Sequence, residues 1–313
     1  MWYKRLEMYV WWTCNQKCTY CMEFSNMEKT WTKKVTEYEV LKKLLKYKKL
    51  WYNHVTYLWW EPFIQWVFLY ALKVWKKLWY TILVTTNCTT LHIDKQAKKY
   101  LPYIDELIIS VEAIDKWLQQ KISRSKVLVY WDNVFKNINK YWKWSYFKAN
   151  IVITKDNLLD IFNIVKYIWN KWIKNIAITY PDIDERYYWE KHIKELVAPT
   201  YKESIKEIIK INNYCNENNI KLKIADFPFC VFPLSQIDDF ISKTDDFDYW
   251  TRVKIDNKWE KLDRKDLNLD DEIPREREYC KKCNSCKYYK MCWWPSRYYE
   301  KYFWLEEIIP IKN

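Results

Sequence analysis

Short apolar runs rich in β-branched residues alternate with longer segments of helical period along the chain up to about Pro199. That alternation is the pattern of successive parallel βα units. Strands are predicted at Leu6–Val10, His54–Leu58, Thr81–Thr85, Glu106–Val111, Lys148–Ile153 and Asn175–Thr179. Between them, Tyr38–Leu50 sets Val40, Leu41, Leu44, Leu45 and Tyr47 near helical spacing, and Leu158–Ile168 behaves similarly. Right-handed connections would wind six such units into an open, partial TIM-like (β/α)6 barrel, an α/β fold. Chemistry on such a sheet is expected where the strands end, at their C-terminal edge.

Beyond Pro199 the alternation stops. A helix from Tyr201 to about Asn218, a strand at Ile220–Ala225, a hairpin of Arg252–Asp256 with Glu260–Leu262, and a charged connection over Asp263–Glu278 are predicted. The expected division is a core domain over residues 1–199 and a small α+β, cysteine-rich extension over 200–313.

The 313 residues suffice for one large domain or two modest ones. The ten cysteines cluster instead of spreading as a disulfide framework, and the first residues carry no apolar signal segment, so a reducing, cytoplasmic setting is expected. No stretch approaches the roughly 18 apolar residues of a membrane span, and no membrane partner is expected. A formal charge of +13 admits RNA as a partner. Lysines scattered over helix-like segments, such as Lys42, Lys43, Lys46, Lys48, Lys49, Lys76 and Lys77, favour a solvated outer face instead.

One anomaly changes how the letters are read. Glycine is absent and tryptophan occurs 22 times, whereas ordinary usage would give a chain of this length roughly 22 glycines. Tryptophan also stands where backbone chemistry asks for glycine: Trp79 and Trp172 follow helical runs, and Trp259 sits in a hairpin-like turn. Most of these tryptophans therefore read as standing for glycine, as would follow if a glycine codon of the source were translated as tryptophan. Trp131 and Trp142, inside a helical pattern, read as genuine.

Chemistry concentrates in two cysteine groups. Cys14, Cys18 and Cys21, with Tyr20 before the last, follow the first strand. Three thiolates can hold three irons of a four-iron cluster and leave the fourth open; zinc usually wants four ligands. The spacing resembles the signature of the radical S-adenosylmethionine (radical SAM) superfamily. The resemblance implies a [4Fe–4S] cluster whose open iron chelates the amino and carboxylate groups of S-adenosylmethionine (AdoMet). It also implies reductive cleavage to a 5'-deoxyadenosyl radical that abstracts a substrate hydrogen, with Cys14, Cys18 and Cys21 at the catalytic centre.

Later segments are similar to the same family. Trp59-Trp60-Glu61-Pro62 resembles a Gly-Gly-Glu-Pro turn beside the methionine end of the cofactor, with both glycines replaced. Asn87 ends a segment similar to one that passes beneath the cofactor, and Ser110 and Glu112 are similar to a pair that approaches its ribose and carboxylate. Tyr20, Trp59, Trp60, Glu61, Asn87, Ser110 and Glu112 are thus the implied cofactor-binding set, with Lys155 and Asn157 weaker candidates.

The second group is Cys280, Cys283, Cys286 and Cys292. On spacing alone it suits a structural zinc. It also resembles the core of SPASM or twitch extensions that hold auxiliary iron–sulfur clusters, although Ser296 stands where the SPASM pattern has another cysteine. One auxiliary [4Fe–4S] cluster fits, on Cys283, Cys286 and Cys292 with either Cys280 or the distant Cys230. Cys88 and Cys215 read as core residues.

Relatives of that build often modify a ribosomally made peptide or protein, so the resemblance implies an oxidoreductase-like peptide maturase. Its partners would be a peptide or protein substrate and a low-potential flavodoxin- or ferredoxin-like donor. Modification of RNA or a small metabolite is the alternative enzyme reading. A non-catalytic iron–sulfur or zinc protein follows if Trp59 and Trp60 are literal and block the cofactor.

Overall fold

A computed structural model describes residues 5–8, 13–21, 36–57, 60–142, 146–181, 183, 198–244, 253–255, 281–289, 292, 295, 299–303 and 305–312. All six predicted strands are present: β1 (Arg5–Met8), β2 (His54–Tyr57), β3 (Thr81–Thr86), β4 (Glu106–Ser110), β5 (Tyr146–Val152) and β6 (Asn175–Thr179). They pair in parallel and in chain order, and the sheet is open. Helices fill the connections: α1 (Glu37–Lys49), α2 (Phe68–Lys77), α3 (Asp94–Tyr100), α4 (Lys116–Ser123), α5 (Trp131–Tyr141) and α6 (Ile161–Asn170).

Two further strands extend the same sheet. The segment expected as a strand near Ile220 forms β7 (Lys221–Ala225), parallel to β6, after helix α7 (Tyr201–Glu217). At the other edge β8 (Val253–Ile255) pairs parallel with β1, with Leu6 opposite Val253. Val253–Ile255 falls within the first arm of the hairpin predicted for this region, and the second arm, Glu260–Leu262, lies outside the described residues. A short helix α8 (Ile237–Ser242) stands between the two strands, and α9 (Tyr299–Phe303) lies near the C-terminus.

The helices start and stop where local chemistry dictates. Thr36 and Thr200 form capping boxes with Glu39 and Glu203, satisfying free backbone N–H groups at the starts of α1 and α7. At their C-termini, α1, α2 and α6 end in one motif: the second residue past the helix cap donates to the carbonyl five positions back, as in Tyr52 N to Tyr47 O (3.1 Å), Tyr80 N to Trp75 O (3.1 Å) and Ile173 N to Ile168 O (3.4 Å). That bond requires a left-handed residue before it. Trp51 (φ 67°), Trp79 (φ 58°) and Trp172 (φ 65°) occupy those places, with 84%, 86% and 76% of their surfaces exposed.

One core joins sheet and helices. Val55, Ile82, Val84, Leu107, Ile109 and Ile151 of the strands pack with Leu44, Leu72, Val134, Ile164 and Ile208 of the helices, all without exposed surface. Neighbouring helices also pack on one another, α1 on α2, α3 on α5 and α6 on α7. The C-terminal residues belong to the same core through Tyr299, whose ring stacks on Tyr201 at 4.1 Å between centroids and whose hydroxyl accepts from Tyr201 N at 2.8 Å. Among the described residues no helix is long and apolar enough to cross a membrane.

Candidate functional site

The cysteine loop, residues 13–21, lies beyond the C-terminal end of β1 and is held by three neighbouring loops. After β2, Gln65 Nε2 donates to Thr13 O (2.8 Å), Thr13 Oγ1 (3.0 Å) and Glu61 O (3.2 Å). After β3, Asn87 and Thr89 bond the side chain of Asn15. After β4, the end of α4 accepts Lys17 N at Ser123 O and Thr19 N at Ile122 O, both at 2.8 Å, and Ser125 Oγ donates to Asn15 O at 3.0 Å. Within the loop, Cys21 N donates to Cys18 O at 3.0 Å, which folds the last two thiols into one turn.

The three thiols lie close enough to influence one another, and their surroundings are acidic. Burial pushes Cys14 up to about 12, with the negative charge of Glu61 adding to it. Desolvation, then Glu112, Cys21 and Cys14, push Cys18 well above the usual thiol range. Thiolates are therefore disfavoured here until a cation binds them, and metal ligation deprotonates thiols outright. Among the described residues no set of three His, Cys, Asp or Glu converges as on a single metal ion. A cluster differs, because each of its thiolates meets a separate iron. The donor set thus fits three corners of an iron–sulfur cluster.

Two buried carboxyls flank the thiols. Glu61, 1% exposed, follows β2 and accepts from Phe63 N (3.2 Å), Thr86 Oγ1 (2.9 and 3.0 Å) and Asn87 N (2.8 Å), tying the ends of β2 and β3 together. Burial raises it to about 7 against those hydrogen bonds. Glu112 follows β4; burial raises it to about 7 as well, opposed chiefly by a hydrogen bond from Tyr20. Its Oε1 has no hydrogen-bond partner among the described residues. Neither carboxyl pairs with a lysine or arginine among the described residues, so a ligand in this site meets negative charge with no built-in counter-ion. A sulfonium carrying an ammonium group suits that field.

Ser110, Glu112, Asn87, Gln16 and Cys18 line a common cavity of ≈ 30 Å³ with Trp131 in its wall. Such a volume admits about one water or the polar tip of a ligand, so the bulk of a nucleoside would lie outside it. Trp60 is buried immediately before Glu61, and Trp59 lies outside the described residues. Asn157, fully buried, donates to Glu112 O (3.0 Å) and Val152 O (2.9 Å) and accepts from Thr154 N (2.7 Å), fixing the backbone that carries Glu112. Gln65, Asn15, Thr89 and Ser125 were not singled out by the sequence. Their roles arise from loops meeting in space, and no spacing signals them.

The distant cysteine group also comes together in part. Phe229 N donates to Cys292 Sγ at 3.3 Å, and Cys286 N donates to Cys283 O at 2.9 Å. Burial pushes the neighbouring Cys230 thiol up to about 12, with Cys292 and Cys286 adding to it. Cys230 thus lies within electrostatic reach of Cys286 and Cys292, whereas Cys280 lies outside the described residues. Cys88 and Cys215 are fully buried, as expected of core thiols.

A parallel open sheet with a three-cysteine loop after its first strand and acidic loop ends around it defines a class that comparison with known proteins identifies. Residues 9–168 match the Radical SAM superfamily, and the chain belongs to it. Among solved structures, Streptococcus suis SuiB bound to S-adenosylmethionine is similar over 91% of this chain and 71% of its own, at 16% identity and a TM-score of 0.60. SuiB bound to the precursor peptide SuiA matches at 17% identity over 91% and 70%, with a TM-score of 0.60. Native anSMEcpe with bound AdoMet matches at 15% identity over 97% and 96%, also at 0.60. No curated protein matches the chain.

Proposed function

We propose that this chain is a radical SAM peptide or protein maturase with one auxiliary iron–sulfur cluster. When bound, a [4Fe–4S] cluster with an open iron supplies the electron that cleaves AdoMet to a 5'-deoxyadenosyl radical, the species that takes hydrogen from substrate. Cys14, Cys18 and Cys21 would hold that cluster, and Gln65, Asn15 and Ser125 hold the loop that presents them. Glu61 and Glu112 supply the negative field that favours a cationic cofactor, and Glu112 keeps one oxygen available for a hydroxyl or ammonium donor. Ser110 stands in the same cavity wall. Cys230, Cys283, Cys286 and Cys292 are the auxiliary ligands this reading assigns, and a low-potential flavodoxin- or ferredoxin-like carrier is the donor it requires.

The observation that carries the reading is the cysteine loop clamped against two buried, cation-free carboxyls at the strand ends. A peptide substrate is supported by shared architecture with SuiB bound to SuiA and anSMEcpe bound to the Cp18Cys peptide. Anaerobic reconstitution followed by dithionite and AdoMet tests the chemistry. Release of 5'-deoxyadenosine by the wild type and its loss in Cys18→Ser are expected; an iron-loaded wild type that releases none refutes the reading.

A further inference from the structure

Asn87 is placed by more bonds than a cofactor-contacting side chain needs. Its Oδ1 accepts from Thr89 N (3.0 Å) and Thr89 Oγ1 (2.7 Å), and its own backbone N–H is committed to Glu61. A backbone N–H can only donate, so the amide atom facing Thr89 N is the oxygen and the orientation of the group is settled by chemistry. The Nδ2 atom therefore points the other way, 3.0 Å from Asn15 Oδ1 and 3.7 Å from Cys14 Sγ. Asn15 completes the ring by donating from Nδ2 to Thr89 Oγ1 at 2.8 Å. One hydrogen of the Asn87 amide is used by Asn15, and the second is directed at sulfur.

We infer that Asn87 is a positioning residue that donates an N–H···S hydrogen bond to the Cys14 thiolate and raises the reduction potential of the cluster bound there. This rests on the cluster assignment above. Reduction adds negative charge that spreads onto the ligating sulfurs, and a fixed donor stabilises the reduced form more than the oxidised one. Asn15 and Thr89 keep the donor aimed, which a lone asparagine on a loop could not do for itself.

The test is an EPR-monitored redox titration of anaerobically reconstituted full-length protein, following the signal that changes when AdoMet is added. In Asn87→Leu the reduced-to-oxidised ratio at a fixed potential should fall about tenfold, a shift of ~59 mV to lower potential for one electron. Thr89→Val, which keeps the donor but loosens its anchor, should shift the same way by less, and serves if Asn87→Leu does not load iron. Unchanged midpoints in the loaded variants overturn the inference while leaving the cluster intact. Failure of the wild type to form an AdoMet-responsive signal overturns the underlying site instead.

A second inference rests on different residues. Trp51, Trp79 and Trp172 each sit one residue past a helix cap in the left-handed region, each donating to the residue three before it, at 3.1, 3.1 and 2.8 Å. With the five-position bonds described above, these are three copies of the Schellman ending, whose left-handed place is ordinarily glycine or asparagine. Asn219 (φ 54°) fills the equivalent place after α7, where Ile220 N donates to Cys215 O at 2.9 Å. The three exposed indoles bury almost nothing in return for the backbone strain. By contrast, buried Trp131 and Trp142 donate their indole N–H groups to Ala113 O (2.9 Å) and Ile104 O (2.8 Å).

We infer that glycine stands at 51, 79 and 172 in the chain as its source makes it, and tryptophan at 131 and 142. Peptide masses of the native protein decide this: glycine at the first three positions and tryptophan at the last two are expected, and tryptophan at 51, 79 and 172 overturns it. With protein from synthetic genes, Trp79→Gly should raise the thermal midpoint, and a lowered midpoint counts against the inference.

Discussion

At the scale of single residues, the site is governed by carboxyls buried without cations. Burial raises Glu61 and Glu112 to about 7 from an ordinary 4.5. A carboxyl raised in the folded state contributes stability that is complete below its unfolded value and lost as pH climbs through the folded one. The metal-free protein should therefore lose thermal stability between about pH 4.5 and pH 7, the window those values set. A double Glu61→Gln, Glu112→Gln variant should show a flatter dependence in thermal melts across that window. Asn157 is a second point of sensitivity, since Asn157→Ala would leave Thr154 N, Glu112 O and Val152 O without their partner. Denaturant titration should show a loss of about 3 kcal/mol.

The residues of the site were legible in proportion to how far chemistry alone dictates them. Three cysteines at cluster spacing announce themselves, and Glu61 and Glu112 stand at predicted strand ends. Glu61 proved to have both oxygens occupied by neutral donors, which its place in a turn could not reveal. Gln65 is a further case, because its importance lies in reaching Thr13 across 52 positions of sequence.

At the scale of elements, the six core strands were readable because each is a short apolar run bounded by turn residues, and β6 forms over the very residues predicted. Helix ends were less so: α6 runs Ile161–Asn170, where apolar spacing alone placed it at Leu158–Ile168. There Asn157 and Thr154 build a turn that postpones the helix. The partner of β8 was not readable, since a strand's own pattern does not say which edge it joins. Element geometry also carries a prediction for the cysteine loop. Gln65→Leu removes a brace that holds the loop from the β2 side through Thr13, and should lower iron incorporation at the first site without abolishing folding. Iron content per chain and a stability loss of about 1–2 kcal/mol check it.

At the scale of the whole molecule, the proposed function makes the two cysteine groups the determinants of metal content. The proposed ligands would give about eight irons per chain as two four-iron clusters. Because Cys230 lies within electrostatic reach of Cys286 and Cys292, Cys230→Ser should reduce iron to about four per chain while leaving the AdoMet-responsive cluster. Cys280→Ser should leave the total unchanged. Zinc in place of iron at this site would remove the auxiliary cluster and spare the first one.

The pairing of β1 with β8 imposes an order on biosynthesis. The strand that introduces the cysteine loop gains its second neighbour only from Val253–Ile255, long after Met8 has left the ribosome. At roughly 5–20 residues per second that interval lasts on the order of 10–50 s. Throughout it one flank of β1 stays unpaired, and the nascent cysteine loop is open to whatever cellular machinery delivers iron and sulfide.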